Sequence, residues 1–305
     1  MLKVRFLDTS MPKPFESHIF MQILRKHFDP IVKLVENQKD VVDLEFVSNN
    51  TTDSEIEKIL MRLKAKYNSD AMLTYTTRFK SGFRPYYKTR TRKRVWFTGE
   101  NLRAPLEHFD LTFSFDKTDH LTHNVFFPYW FYRCNWFDEI STSEIEQKIE
   151  NLLMPRVPVS REKIAVTFST HFEQSRARIV KAIQPIIKVD CFGQYFQKYA
   201  DSKAITSANY GLQICNENDL YPDYVTEKLQ EAWIARNVPI WAGLDQSGYF
   251  NPEAIINVTN LTTSEISDRI NSITKDEMMY RQSLPLLVKE PKLDEAIKSL
   301  AKLLN

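Results

Sequence analysis

The chain has 305 residues, with 41 Lys and Arg against 39 Asp and Glu, a formal net charge of +2 and 43% hydrophobic residues. This length allows two domains of ordinary size, and the composition excludes a disordered or fibrous chain. Apolar runs are of strand length, too short to cross a bilayer.

In chain order, residues 2–7 read as a strand, 15–27 as a helix, 41–47 as a strand and 52–67 as a helix. Strand-like runs follow at 71–75, 95–98 and 111–115. Two prolines at Pro155 and Pro158 interrupt the pattern and mark a boundary. It separates a Rossmann-like domain over 1–155 from a second over 156–290. The second half alternates regularly: strand 164–168, helix 175–187, strand 189–193, strand 210–215, helix 224–235, strand 238–243, strand 254–258 and helix 263–273. Alternation of this kind predicts an α/β fold with parallel sheets covered on both faces. Two such halves with a cleft between them is the economical architecture. Residues 291–305 place Leu293, Ala296, Ile297, Leu300, Ala301 and Leu304 on one stripe, an amphipathic helix that docks on the body or lies on a membrane surface.

Met1–Phe6 lacks the long apolar stretch of a signal peptide. Cys134, Cys191 and Cys215 are far apart and form no CxxC pair. Both features lead us to expect a cytoplasmic protein. Glycine is scarce, 6 of 305, and no two glycines are spaced to form GxGxxG or GxxxxGK. A nucleotide would therefore need another phosphate cradle.

Three strand-to-loop junctions carry polar residues suited to chemistry, at the strand ends where open sheets bind ligands. After strand 210–215 comes Asn216-Glu217-Asn218-Asp219, then Asp223 as the expected N-cap of a helix. On that helix Val225, Leu229, Ala232 and Trp233 face the core, and Tyr224, Glu227, Lys228 and Glu231 share the other face. A lysine in early helical turns suits an arriving phosphate, although spacing alone favours an ordinary solvated amphipathic helix. After strand 164–168, Ser169 and Thr170 lead to Arg176, whose guanidinium forks onto phosphate oxygens. After strand 95–98, Gly99-Glu100-Asn101 offers a carboxylate for general-base work, or simply a turn cap.

The order and spacing of these pieces resemble glycosyltransferase family 10, the α-1,3/1,4-fucosyltransferases, in its bacterial type. The resemblance rests on Tyr224-Val225-Thr226-Glu227-Lys228 with Glu217-Asn218 before it and residues 238–243 after it. It also rests on Thr98-Gly99-Glu100-Asn101, Phe109-Asp110, Ser114-Phe115-Asp116, the 168–176 stretch and the 189–193 strand. It implies a GT-B fold, two Rossmann-like domains facing across a cleft. It further implies inverting transfer of L-fucose from GDP-fucose to an oligosaccharide hydroxyl, α-1,3 to GlcNAc or Glc.

Carried over by position, Glu100 is the implied general base, and Arg176 and Lys228 the diphosphate ligands. Glu227 is the implied ribose ligand. Tyr224, Asn218, Val225 and Thr226 are implied donor contacts, and Glu217 a carboxylate near the fucose. The family commonly has Phe-Glu-Asn-Ser at 216–219, so Asn216 and Asp219 depart from it and leave room for another GDP-deoxysugar. No obligatory cofactor or metal is implied, with stimulation by Mn or Mg left open.

Residues 78–94 hold eight cations and no acid, interleaved with Phe79, Phe83, Tyr86 and Tyr87. Together with Asn101, the residues Tyr86, Tyr87 and Arg90 are acceptor-side candidates. The acceptor would be an oligosaccharide or a lipid-linked surface glycan, with peripheral membrane contact. The contrasting reading from another class is a non-catalytic nucleotide- or nucleic-acid-binding protein centred on this segment. His120 and His123 have HxxH spacing without a third ligand.

Overall fold

The computed structural model describes residues 1–7, 15–37, 39–48, 91–103, 109–117, 123–137, 146–170 and 174–305. The expected helix at 52–67, the strand at 71–75, most of the basic segment (78–90) and His120 lie outside them. The chain divides into two compact units: Met1–Tyr132 with Lys292–Asn305, and Arg133–Pro291. The division thus falls after Tyr132 rather than at 155/156. Residues 133–155 pack with the second unit: Gln230 donates to Cys134 Sγ over 3.1 Å, and Leu287 N–H donates to Leu152 O over 2.9 Å.

The first unit contains β1 (Leu2–Leu7), α1 (Ile19–His27), β2 (Val32–Leu34), β3 (Val42–Val47), β4 (Thr91–Phe97), β5 (Leu111–Ser114) and β6 (Asn124–Phe126). The strands form one parallel sheet in the order β2-β1-β3-β4-β5-β6. Its core is aromatic. Phe20 of α1 stacks on Phe46 of β3 and tilts against Phe113 of β5, each at 4.7 Å between centroids. On the same sheet Glu45 is completely buried between two arginines. It accepts from Arg5 Nε and Nη2 at 2.9 and 2.8 Å and from Arg94 Nε at 3.1 Å. Removing either sign would strand a buried charge.

The end of the basic segment belongs to β4, which starts four residues earlier than residue 95. Arg92 lies 3.8 Å from Asp43, Lys93 3.8 Å from Asp110, and Arg94 is spent on Glu45. These three cations are sheet residues paired with two acids of the sheet, Asp43 and Glu45, and with Asp110 in the bend before β5.

The second unit begins with the short parallel pair β7 (Cys134–Asn135) and β8 (Gln147–Lys148), followed by α2 (Ile149–Leu153). Then come β9 (Ala165–Phe168), α3 (Gln174–Ile183), β10 (Val189–Phe192), α4 (Lys203–Ser207), β11 (Leu212–Ile214), α5 (Lys228–Ile234), β12 (Val238–Trp241) and β13 (Ile256–Asn257). Helices α6 (Thr263–Ser272) and α7 (Lys275–Ser283) follow, and α8 (Asp294–Leu304) returns to the first unit. The sheet is parallel in the order β10-β9-β11-β12-β13. Its core is aliphatic, with Ile179 and Ile183 of α3 and Ile266 and Ile270 of α6 packed around Leu212, Val238 and Ile240. That strand order reverses direction between β9 and β11, the place where doubly wound sheets bind ligands.

Candidate functional site

At that reversal the loops after β9 and β11 meet. Ser169 follows β9, and its N–H donates to Phe192 O over 2.8 Å. Gly193 makes the close approach possible. Its φ is +110°, and a Cβ there would stand 2.2 Å from Ser169 O, so only glycine fits. Arg176, in the first turn of α3, is 5% exposed. Its Nε donates to Asn216 Oδ1 over 2.8 Å and its Nη1 to Ser169 Oγ. Asn216, wholly buried after β11, donates from Nδ2 to Ser175 Oγ over 3.0 Å. Both sides of the reversal therefore fix one guanidinium.

The next residue holds the second cation. Glu217 N–H donates to Ala242 O over 2.8 Å, running the loop along the end of β12. Its carboxylate is buried and accepts four hydrogen bonds. Oε1 takes Thr226 N–H at 3.1 Å and Trp241 Nε1 at 3.4 Å. Oε2 takes Thr226 Oγ1 at 2.7 Å and Lys228 Nζ at 3.1 Å. Lys228 Nζ also donates to Thr226 Oγ1 over 2.8 Å. Gly243 serves this arrangement, because a Cβ on it would stand 2.4 Å from the Trp241 ring.

The helix carrying Lys228 begins at that residue, not at Tyr224, and Glu227 is its N-cap. Asp223 is no cap. It sits at φ +58°, a conformation that Asp tolerates better than most side chains. Its Oδ1 accepts from Ser247 N–H over 2.6 Å, and its own N–H donates to Leu244 O over 2.7 Å. These bonds keep Tyr224, Val225 and Thr226 out of the helix and buried. Leu229 to Trp233 are all buried, Glu231 included. The solvated amphipathic helix is thereby overturned.

The charges are set by one another. Burial opposes the Lys228 ammonium, but Glu217 and Glu227 outweigh it and raise its pKa. Burial likewise opposes ionised Glu227, and the cations Lys228 and Lys203 hold its pKa below the usual carboxylate range. Glu231 shifts the other way: burial raises it despite its ion pair with Lys203. Asn218 is exposed on the loop.

In the first unit, the turn after β4 carries Glu100, exposed, with its N–H donating to Thr98 Oγ1 over 3.0 Å. A Cβ at Gly99 would stand 2.7 Å from the Tyr129 ring. Asn101 Oδ1 accepts from Arg103, which also donates to Asp116 Oδ1 over 3.1 Å beyond β5 and lies 4.6 Å over the Phe115 ring. Tyr86, Tyr87 and Arg90 lie outside the described residues. Among the described residues no cluster of His, Cys, Asp and Glu is arranged to hold a metal, and no helix is long and apolar enough to cross a membrane.

Residues 158–284 match the family model described as glycosyltransferase family 10 (fucosyltransferase) C-term. They form a family 10 glycosyltransferase domain. The family 10 domain includes Ser169, Arg176, Asn216, Glu217, Thr226, Glu227, Lys228, Trp241 and Gly243, whereas Glu100 lies outside the matched stretch. A mouse (Mus musculus) 4-galactosyl-N-acetylglucosaminide 3-alpha-L-fucosyltransferase 9 is 26% identical over 129 residues, 40% of this chain and 36% of the relative. A Pan troglodytes 3-galactosyl-N-acetylglucosaminide 4-alpha-L-fucosyltransferase is 25% identical over 217 residues, 66% of this chain and 54% of the relative. The matches thus span about a third to a half of these relatives' lengths. A crystal structure of an alpha1,3-fucosyltransferase superposes with a TM-score of 0.69 at 17% identity, covering 99% of this chain and 90% of the other. The fold of the chain is accordingly GT-B.

The sequence pattern placed Ser169, Asn216, Trp241 and Gly243 at these junctions or within the resemblance but gave them no part in holding Arg176, Glu217 and Lys228. The available signal was their position, each at the end of a strand of the parallel sheet.

Proposed function

We propose that this protein is an inverting fucosyltransferase that moves L-fucose from GDP-fucose to a hydroxyl of an oligosaccharide, α-1,3 to GlcNAc or Glc. One observation carries the reading. The two cations suited to a diphosphate, Arg176 and Lys228, are held by consecutive residues, Asn216 and Glu217, at the strand-order reversal of one sheet. The family 10 match covers all four residues. A solved fucosyltransferase of the same fold is described with GDP-fucose, which supports that donor for this chain.

In the proposed reaction the bond from the fucose anomeric carbon to the diphosphate oxygen breaks as the acceptor hydroxyl oxygen bonds to that carbon. Arg176 and Lys228 stabilise the charge that grows on the departing GDP. Glu100 takes the hydroxyl proton. Glu227 receives the ribose, Tyr224, Val225, Thr226 and Asn218 complete the donor contacts, and Asn101, Tyr86, Tyr87 and Arg90 lie on the acceptor side. We further propose a cytoplasmic enzyme acting on a surface or lipid-linked glycan, peripheral at the membrane, with no obligatory metal.

Two rival readings lose support. Asn216, the departure from the family's Phe, is buried and spent on Arg176 and Ser175, so it gives no argument for another deoxysugar. Arg92, Lys93 and Arg94 are paired within the sheet, which weakens a nucleic-acid surface there.

Incubation with GDP-fucose alone tests the reading. Slow release of GDP is expected, abolished in Lys228→Ala. Glu100→Ala should stop transfer to acceptor while GDP affinity stays. Absence of both GDP binding and GDP release would overturn the proposal.

A further inference from the structure

Helix α5 has Lys228 at its first position, and a second cation cluster surrounds its other end, about 10 Å along the axis. There Arg156 donates from Nη1 to Trp233 O and from Nε to Gln282 O at 2.9 Å. Arg161 donates from Nη1 to Tyr210 O, Ala235 O and Asn237 Oδ1 at 2.9, 2.6 and 2.9 Å. Arg236 donates from Nη1 to Val157 O. None of the three guanidinium groups pairs with a carboxylate among the described residues. The helix C-terminus supplies only about half a negative charge. Three full charges are therefore gathered where a fraction of one is compensated.

Their spare donors are specific. Nη2 of Arg156 is buried with no partner. Among the described residues, Nε and Nη2 of Arg161 and of Arg236 make no hydrogen bond. Burial and the neighbouring Arg236 and Arg161 push Arg156 down to about 9. A cavity of about 280 Å³ opens on two of the three, Arg161 and Arg236, with Lys203, Ser207, Glu231 and Ile234 also in its lining and Arg156 outside it. That volume is at the small end of ligand pockets, which run to roughly 300–1,000 Å³.

We propose that this cavity is an anion site for a phosphoryl group carrying a small organic moiety, with Arg161 and Arg236 forking onto its oxygens. Guanidinium groups with unused donors match phosphoryl oxygens in geometry as well as in charge. Ile234 and the alanines beside it (Ala204, Ala208 and Ala235) would receive the apolar part. The site is separate from Lys228 and does not rest on the proposed donor reaction.

The phosphoryl group would come from a free phosphate ester or from a lipid headgroup. Val157 and Ile205 are largely exposed beside the cavity, so both sources are tested. Inorganic phosphate and glycerol 3-phosphate are titrated by calorimetry against wild type, Lys228→Ala and Arg236→Asn, at constant ionic strength. Asn is chosen because Arg236 sits at φ +61°, a conformation Asn tolerates. Co-sedimentation with phosphatidylcholine vesicles, with and without phosphatidylglycerol, is measured for the same proteins. Lys228→Ala should keep the binding made at this cavity and lose only what the proposed donor site contributes to the wild type. Arg236→Asn should lose about tenfold or more, as expected for one charge-assisted partner. Binding confined to the vesicles containing phosphatidylglycerol, and lost in Arg236→Asn, would support the site with a lipid as its source. Equal binding by wild type and Arg236→Asn, loss in Lys228→Ala alone, or no binding in either assay would overturn it.

Discussion

The ammonium of Lys228 lies 3.1 Å from Oε2 of Glu217, a carboxylate whose other oxygen is taken by Thr226 and Trp241. The oxygens of Glu217 are turned inward, so in the proposed reaction it acts on the donor through Lys228 and the 223–228 stretch. Replacing it tests the clamp directly. Glu217→Gln keeps the shape and removes the charge that offsets Lys228. Breaking a buried pair from one side costs roughly 3–5 kcal/mol, and the partly exposed lysine places the loss near the lower figure. Urea unfolding should show it, and added GDP should restore part of it by supplying a counter-charge. Unchanged unfolding would sink the clamp.

Asn216→Leu removes the acceptor of Arg176 Nε while filling similar space. One charge-assisted hydrogen bond is worth about 1.5–3 kcal/mol, so GDP affinity should fall at least about tenfold. Asn216→Asp retains an acceptor and should bind more tightly than the leucine variant. If both variants bind GDP like wild type, the arginine does not depend on Asn216 for its position.

Gly243→Ala pushes a methyl into the Trp241 indole, 2.4 Å from its nearest ring atom. Overpacking of this kind costs about 1–3 kcal/mol. The near-ultraviolet dichroism of the protein should change with it, because the indole must move and release Glu217. A variant with the wild-type spectrum and stability would contradict the packing.

His18 lies among Phe6, Phe20 and Phe97, and burial lowers its pKa to about 3. The unfolded chain would bind this proton near the ordinary value of about 6.5. Its contribution to stability is thus complete above about 6.5 and is lost as pH falls toward 3. The slope reaches at most about 1.4 kcal/mol per pH unit. His18→Asn keeps an acceptor for the Phe20 N–H, which His18 Nδ1 now takes at 3.3 Å, and should flatten the acid limb. An identical pH profile in both proteins would exclude the histidine as its cause.

Much of the fold was legible in the amino-acid order. Strands β9 and β12 are short, mostly apolar runs, the signature of a parallel sheet buried on both faces, whereas β1 and β3 alternate apolar residues with Lys3, Arg5, Asp43 and Glu45, the period of two that marks a strand. The start of α5 was not legible. Tyr224, Val225, Lys228 and Leu229 have helical spacing, but the chain spends residues 223–227 on a loop held by Glu217 and by the left-handed Asp223. Those are contacts between distant strand ends, which no local period records. Helix α7 was missed because only Met278 and Gln282 on it are buried, too few to draw a stripe. The cations Arg176 and Lys228 stood out by their place after strands, whereas their anchors Asn216 and Trp241 look like ordinary strand-end residues.

Helix α8 closes the first unit with Ala296 and Leu300, after the chain has passed through the whole second unit. The second unit is continuous in sequence and the first is not. The second unit, Arg133–Pro291, can complete its packing from one continuous stretch. The half bearing Glu100 needs Ala296 and Leu300, which are joined to Tyr132 only through the whole of that stretch.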